Sequence, residues 1–526
     1  MRIQLLKWRT ELLNKFIDDE LPLALFWLIL GLFAGLVYAM EILGLDGSMS
    51  LLSPERARSL HISQMLYGFF PLMLSLLPFA LFQKEGVLSQ NAIVHLRRYF
   101  VVWNLFLLFM SMALLFGNIR GLPFYDFPYQ LNFLLAFSGV FYLFALLDAL
   151  RRYAKRPLWV NVSLAAVIVA PLALIVLMNP QYGQVEKTLI GPHGDNTLGM
   201  SFALIPIYYL LIKLVAIDEF KPRWHGLWIV PLVGYIVSLV IRNFFHTLSY
   251  TEEWFFQYLT LLYVPLLWIW LRDAGVSFKT NPYLILSIIA FIFVDIEGNF
   301  LFIPDIRALI HRNDLVVGHA HIAMGLGVAF MALAIVHHLL PNLFRRIYAI
   351  AWSVLMGIMA VALSIAGILE ARGLNESIEP FLWVRALVGA MIVGVVLRIT
   401  FDRLKVRIDS AVKVYHLSGF LSDAGGGAVL ILGGSALFSL LGFHFSGTYE
   451  YIVFAFMIGT GLTHWYGLYS VTPYRFAELS ASIRAVCASV FAALYMAGTL
   501  DGIALLVALY DISFALLYWL FLRGKD

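Results

Sequence analysis

The sequence predicts an all-α fold, a polytopic bundle of membrane helices, and composition, hydropathy and the distribution of basic residues all support this class. The chain has 526 residues, of which 61% are hydrophobic and 13% are charged, and its mean hydropathy is +0.86. Soluble domains carry about 25% charged residues. The composition therefore excludes a soluble protein. We expect membrane lipid around the chain and no nucleic-acid partner.

Hydropathy predicts sixteen transmembrane helices, because sixteen segments are apolar over the roughly 20 residues that a helix needs to cross a bilayer. Residues 1–20 precede them and form an amphipathic, charged segment rather than a signal peptide. The predicted spans lie near residues 21–43, 61–82, 99–117, 130–150, 158–178, 196–216, 225–246, 254–271, 282–303, 316–340, 347–369, 380–400, 425–443, 450–471, 483–499 and 502–522.

Basic residues are distributed unevenly between the two sides of this predicted topology. If residue 1 is cytoplasmic, most of the 36 lysines and arginines fall on the cytoplasmic side, as the positive-inside rule requires. We therefore expect both termini in the cytoplasm and the chain in a prokaryotic inner membrane. The basic groups on this side are Arg2–Lys15, Arg97-Arg98, Arg151–Arg156, Lys221–Arg223, Arg345-Arg346, Arg403–Lys413, Arg523 and Lys525.

A single cysteine, Cys487, limits the redox chemistry of the chain. It excludes a disulfide framework, a cluster of thiolate ligands and the Cys-x-x-Cys-His motif that attaches c-type haem. Any haem in this protein is therefore expected to be held non-covalently.

Two histidines, His319 and His321, lie two residues apart in the predicted tenth span. At 3.6 residues per turn they point roughly 200° apart, so they cannot easily bind one ion together. One imidazole on each side of a helix is the arrangement needed to hold two separate haem irons. The alternative is a pair of histidines at a helix end near the headgroups, although ionisable groups inside spans are usually functional.

Other polar residues are predicted to lie at the same depth, near the outer face of the membrane. His61 opens the predicted second span, and a common depth is what a buried cofactor layer needs. Ordinary interpretations exist for several members, since a boundary histidine can contact headgroups and a loop carboxylate can be solvated. The other members are His193, Asp195, His246, Asp295 and Glu297, whereas His416, His444 and His464 are interpreted as interfacial or packing residues.

These motifs resemble a known family. Residues 56–61 read Arg-Ala-Arg-Ser-Leu-His, and residues 311–321 read His-Arg-Asn-Asp-Leu-Val-Val-Gly-His-Ala-His. Both are similar to motifs of the catalytic subunit of haem-copper oxidases, most closely the cbb-type oxidases, with the nitric oxide reductases next. The resemblance implies that His61 and His321 are the axial ligands of a low-spin haem b and that His319 is the proximal ligand of a high-spin haem.

The same resemblance implies roles for residues around these ligands. Glu297 would accept a hydrogen bond from the His319 ring, and His311 and Asp314 would lie near haem propionates. Residues 21–403 would form a twelve-helix haem-copper oxidase-like core. Residues 404–526 depart from the family in length, since they add about four predicted transmembrane helices, which carry no known cofactor motif and would dock partner subunits or fill a face of the bundle.

The sequence departs from the family at the second metal. Where cbb-type enzymes have a histidine followed by Asn-x-x-Gly, this chain has Asp195, and where they have a His-His pair, only His246 is present. His193 is a possible replacement ligand. Such a set is a poor copper site but suits a harder ion such as iron, or no metal. His246 and Asp195, together with Glu297, are therefore the candidate catalytic residues, and the choice between copper and non-haem iron stays open.

The function implied by this resemblance is that of a haem-binding respiratory terminal oxidase-like subunit. It would pass electrons from a low-spin haem b to a high-spin haem for reduction of O2 or NO, with two non-covalent b-type haems and c-type cytochrome subunits as electron donors. The alternative is a superfamily member that has lost the copper site and serves as a haem-based electron-transfer, gas-binding or assembly protein. A transporter with interfacial histidines is a third, weaker interpretation.

Overall fold

The computed structural model describes residues 12–45, 52–121, 125–153, 161, 204–217, 220–224, 226–301, 303–310, 313–440, 442, 444–500 and 502–523. Twelve helical segments within these residues are long and apolar enough to cross a membrane, so the chain is an integral membrane protein and the predicted all-α bundle is confirmed. The twelve are Leu12–Ile42, Pro54–Lys84, Gln90–Leu115, Leu131–Leu150, Gly226–Phe244, Tyr250–Asp273, Pro282–Leu301, Asp314–Leu339, Arg346–Ala371, Asn375–Arg403, Pro473–Met496 and Gly502–Leu522.

Four of the sixteen predicted spans have no counterpart among these twelve. The span near 158–178 and the first part of that near 196–216 lie outside the described residues, and the rest of the latter is the short helix Ile205–Val215. The spans near 425–443 and 450–471 correspond to Gly426–Leu440, which has 15 residues, and to Thr448–Tyr469. The latter carries several polar side chains, which lower its mean hydropathy.

The helices fall into two compact units. The first comprises residues 1–45 and 52–399, and residues 400–526 make up most of the second. Helices α1 to α16, of which the last continues past residue 399, are Leu12–Ile42, Pro54–Tyr67, Phe69–Leu74, Leu77–Lys84, Gln90–Leu115, Leu131–Leu150, Ile205–Val215, Gly226–Phe244, Tyr250–Tyr258, Tyr263–Asp273, Pro282–Leu301, Pro304–Ile310, Asp314–Ile322, Ala329–Leu339, Arg346–Ala371 and Glu379–Arg407.

Within the described residues, the second unit contains five α-helices that begin after residue 407, α17 to α21, and two short π-helical segments. The π-helical segments are Leu421–Gly425, between α17 and α18, and Tyr518–Leu522 at the end of α21. Its α-helices are Ala411–Phe420, Gly426–Leu440, Thr448–Tyr469, Pro473–Met496 and Gly502–Leu517.

Helix α2 begins earlier than hydropathy predicts. It starts at Pro54, with proline in the first turn, so His61 lies two turns inside the helix rather than at its opening. The charged residues of the first turns, which include Glu55 and Arg56, hide this start from a hydropathy window. Helical residues therefore both precede and follow His61 in the sequence.

Two glycines on α1 create a notch for α2. Gly31 and Gly35 are four residues apart and therefore lie on one face, the spacing that lets membrane helices approach closely. A Cβ atom at Gly35 would lie 2.5 Å from Nδ1 of His61, and one at Gly31 would overlap Gln64 and its neighbour. The notch is therefore the space that the His61 side chain fills.

We expect Gly35→Ala to destabilise the protein by about 1–3 kcal/mol, because the added methyl group overpacks the contact with His61. Denaturant titration of the protein in detergent measures this change in the free energy of unfolding. Gly394→Ala on α16 is the matched control, since a Cβ there meets no atom within 4 Å. Equal stability of the two variants would contradict the packing role of the notch.

The helix that carries His319 and His321 is anchored along its length. Asn313 caps α13 by accepting a hydrogen bond from the Leu315 backbone N–H at 3.1 Å. Between α13 and α14 the chain forms a π-helical segment, Ala323–Val328, whose Gly327 carbonyl accepts a hydrogen bond from Ser287 on α11 at 2.6 Å. Helix α14, which continues the span that begins with α13, is then almost wholly buried.

Candidate functional site

His61 and His321 face each other across the boundary between α2 and α13. Their ring centroids are 6.4 Å apart and the ring planes differ by 19°. The Nδ1 atom of His61 lies 2.8 Å from the Gly31 carbonyl oxygen, and Nδ1 of His321 lies 2.7 Å from that of Val317. Because a carbonyl can only accept, each Nδ1 carries the proton, and each Nε2 keeps a lone pair.

This geometry fits one metal ion held between two neutral imidazoles. Metal–imidazole bonds are about 2 Å long, so two rings that bind one ion from opposite sides have centres roughly 6 Å apart. A hydrogen bond from the second ring nitrogen to a backbone carbonyl is the usual way in which a ligand imidazole is oriented. The two residues therefore suit the axial positions of a haem iron, as the resemblance implies.

Arg385 on α16 brings a positive charge to this pair. It interacts electrostatically with both histidines and with Asp314, and its guanidinium carbon lies 5.3 Å from the centre of the Tyr38 ring. The Asp314 backbone N–H donates to Glu370 at 2.8 Å. Asp314 and the two histidines thus share Arg385 as an electrostatic neighbour. Arg385 was assigned no role from sequence, although an arginine inside a span is a signal.

His319 interacts with a different neighbour. Its Nδ1 lies 3.1 Å from Oε2 of Glu297 on α11, and both side chains are about one-fifth exposed, at 22% and 21%. Gly298 leaves the space beside the imidazole, since a Cβ there would lie 3.5 Å from its Cε1. If Nδ1 donates to the carboxylate, Nε2 is free to bind a second metal-containing group.

The two histidines of the motif therefore lie in two separate environments, on different sides of one helix. His321 lies against α2, whereas His319 lies against α11, as expected for side chains roughly 200° apart. One helix thus contributes to two sites.

The residues proposed for an additional metal do not join this arrangement in the part of the chain that the structure describes. His246 is exposed, and its Nε2 forms a hydrogen bond with Glu252 at 3.0 Å. Asp195, His193 and His311 lie outside the described residues. Among the residues that are described, no three histidine, cysteine, aspartate or glutamate side chains are grouped to hold a metal ion.

Sequence reasoning missed most of a buried polar cluster that includes Asp295, two residues before Glu297 in the sequence. Asp295 is 1% exposed and accepts a hydrogen bond from Thr260 at 2.7 Å, and the Asn299 amide lies 3.3 Å from the same carboxylate. Gln257 is equally buried, and neither its amide nitrogen nor its oxygen has a partner among the described residues. The sequence signal for this cluster was helical spacing: Gln257 and Thr260 are three residues apart on one span, and Asp295 and Asn299 are four apart on the next.

Comparison with known proteins identifies the family. A sequence profile described as "Cytochrome C and Quinol oxidase polypeptide I" matches residues 20–397. A solved structure described as a heme-copper terminal oxidase dimer is 12% identical, with a TM-score of 0.49 and coverage of 74% of this chain and 83% of the other. No curated protein matches. Since the profile spans more than half of its 526 residues, the chain belongs to the cytochrome c and quinol oxidase polypeptide I family.

Proposed function

We propose that the protein is a haem-binding subunit of a respiratory terminal oxidase that reduces O2 or NO, with His61 and His321 as ligands of a low-spin haem b and His319 as the proximal ligand of a high-spin haem. The paired histidines, at 6.4 Å with both Nδ1 atoms bonded to carbonyls, carry this proposal. Family membership supports haem cofactors in general and a terminal oxidase-like role. When bound, the haems supply one-electron redox chemistry and an iron that binds diatomic gases.

The protein's own groups have distinct tasks in this proposal. The carbonyls of Gly31 and Val317 orient two neutral imidazoles, whereas Glu297 makes the His319 ring more basic by accepting a hydrogen bond from its Nδ1–H. Asp295 lies two residues before Glu297, so its side chain points to a different side of α11, where it belongs to a buried polar cluster with unpartnered atoms.

Purified protein tests the proposal directly. We expect two non-covalent b-type haems per chain and a reduced b-type absorbance spectrum, together with consumption of O2 or NO when an electron donor is supplied. A colourless protein would contradict the proposal and favour a transporter with interfacial histidines.

A second candidate function rests on the position of His246. Its exposed ring is bonded to Glu252 rather than directed to the region of Glu297 and His319. This favours a family member without the copper site, which would serve in electron transfer, gas binding or assembly. Metal analysis separates the two: one copper, or one iron beyond the haems, supports the reductase, and no further metal supports the second candidate.

The partners and location proposed are those of a respiratory complex. We propose c-type cytochrome subunits as electron donors, since the chain has no covalent haem motif of its own, and a prokaryotic inner membrane with both termini in the cytoplasm. Co-purification of haem-stained subunits with the tagged chain tests the first point. Cysteine labelling of the termini from each side of the membrane tests the second.

We expect Glu297→Gln to weaken haem retention at His319 by about 10- to 100-fold, because the amide cannot make the imidazole as basic as a carboxylate does. The iron–histidine stretching frequency of the reduced protein should fall for the same reason. Exposed Glu376→Gln is the control and should match the wild type. An unchanged stretching frequency in Glu297→Gln would show that the carboxylate does not act on this ligand.

A further inference from the structure

The second unit contains a buried polar cluster that lies wholly outside the part of the chain matched by the family profile, residues 20–397. Both of its histidines are 0% exposed, three other members are 4–5% exposed, and the side chain of the sixth, Asp511, is 15% exposed. Polar groups at this depth are expensive within a membrane and usually mark an ion or proton site. The members are His416, Asp423, His464, Ser480, Arg484 and Asp511.

One half of the cluster is a chain of hydrogen bonds through two imidazoles. Nε2 of His416 lies 2.8 Å from the Pro473 carbonyl oxygen, which can only accept, so this nitrogen carries a proton. Nδ1 of neutral His416 then accepts from Nδ1 of His464 at 3.1 Å. Nε2 of His464 in turn accepts from the Ser480 hydroxyl at 2.8 Å. All donors in this chain point the same way.

The other half consists of two carboxylates that share one guanidinium. Arg484 donates to Asp511 at 2.7 Å and to Asp423, and the Tyr510 hydroxyl donates to Asp423 at 3.2 Å. With neutral imidazoles, two carboxylates and one guanidinium leave one negative charge uncompensated. A single bound proton removes this charge, which is otherwise costly in a buried site. Nε2 of His464 lies 3.9 Å from Asp423, so the two halves adjoin.

If α20 crosses the membrane along its length, the cluster would extend from a membrane surface to about the middle of the bilayer. Pro473 is the first residue of α20 and is preceded by exposed Val471 and Thr472. Arg484 lies eleven residues further along the same helix, or about 16 Å at 1.5 Å per residue. This is about half of a hydrocarbon core that is roughly 30 Å thick.

The two imidazoles are fixed in place by glycines. A Cβ atom at Gly419 would overlap the ring of His464, and one at Gly467 would overlap the ring of His416. Asp423 is held in the π-helical segment Leu421–Gly425, a feature often found at functional sites. Among the described residues, no three histidine, cysteine, aspartate or glutamate side chains of this unit are grouped to hold a metal ion.

We propose that this cluster is a proton-binding site, in which Asp423 and Asp511 hold one exchangeable proton and the His464–His416 pair transfers it to and from the membrane surface at Pro473. The proposal is independent of haem binding, because every group lies in residues 411–523.

The proton balance of the release step follows from the hydrogen bonds. In this step the Ser480 hydroxyl turns away from Nε2 of His464, which then takes the proton of Asp423 from 3.9 Å. The Nδ1 proton of His464 passes to Nδ1 of His416, and the Nε2 proton of His416 leaves the Pro473 carbonyl for water at the surface. The carboxyl O–H bond breaks and one hydronium forms, so charge and protons balance. Each imidazole ends with its proton on the other nitrogen. Because the rings are fixed, the imidazoles in these new tautomers can carry the next proton only from the surface to the carboxylates. The histidine pair therefore alternates between proton release and proton uptake.

The remaining titratable groups that face the cluster are neutral at pH 7 and do not alter this charge balance. They are Tyr415, Tyr510, Tyr518 and Cys487.

Infrared difference spectroscopy after a rapid pH change tests the proposal on the full-length protein in detergent. The wild type should show the C=O band of one buried carboxylic acid, which the double variant Asp423→Asn/Asp511→Asn lacks. His464→Gln should keep this band but slow its appearance and loss at least 10-fold, because the amide cannot accept and release a proton. Exposed His444→Gln, in the same unit, should behave as the wild type.

Two results would overturn the proposal. Absence of any carboxylic acid band would mean that the cluster is a permanently ionised structural network. Unchanged kinetics in His464→Gln would mean that protons reach the carboxylates by another route. If His464→Gln does not fold, His416→Gln provides the same comparison from the surface end of the chain of hydrogen bonds.

Discussion

Replacing His321 by alanine is expected, under the haem ligation proposed above, to remove one of two haems and with it the low-spin component of the reduced spectrum, because no side chain remains to face His61 across a 6.4 Å separation. The haem on His319 should remain, since that imidazole bonds to Glu297 on a different helix. The pyridine haemochrome assay should therefore fall from about two haems per chain to about one. His61→Ala should have the same effect.

The control for this experiment is His338→Ala. His338 lies at the other end of the same long helix and is exposed, so its removal should leave the spectrum unchanged. Added imidazole should restore the low-spin spectrum of His321→Ala by entering the vacated space. If His321→Ala retains both haems without added imidazole, the two histidines are not ligands of one iron.

The second large effect is expected for Arg484→Met. The arginine is about 5% exposed and donates to two buried carboxylates, so its removal leaves uncompensated charges in the C-terminal unit. Breaking one side of a buried ion pair costs about 3–5 kcal/mol. Unfolding by denaturant in detergent should show a loss of this size at neutral pH, and the loss should shrink at lower pH because protonated carboxyls need no guanidinium.

Arg475→Met is the matched control, since Arg475 is exposed on the same helix. The triple variant Arg484→Met/Asp423→Asn/Asp511→Asn should recover much of the stability, because it removes the charges together with their partner. Failure to recover would indicate that Arg484 stabilises the unit mainly by packing on Phe514, over whose ring it lies at 4.5 Å.

The sequence was informative where a property belongs to one helix. Hydropathy identifies the spans, and 3.6-residue periodicity predicts that His319 and His321 contact different neighbours. The pairing of His319 with Glu297 was expected only from a family resemblance, because no periodicity within a helix indicates which other helix lies beside it. The start of α2 was missed since its charged first turns lower the local hydropathy.

The second unit shows the opposite case. His416 and His464 were interpreted as interfacial or packing residues, yet both are fully buried and bonded to each other. They are 48 residues apart on different helices, and Arg484 meets Asp423 across a still longer separation. A single sequence shows which polar residues are present, but their contacts depend on how four helices pack together.

The notch formed by Gly31 and Gly35 has a consequence for the speed of electron exchange. A ring pressed against bare helical backbone and tied to a carbonyl has no alternative rotamer available, so its position should be the same whether a coordinated ion has gained or lost an electron. Little atomic rearrangement then accompanies each redox event, and filling the notch with a methyl group should slow electron exchange even where the metal is retained.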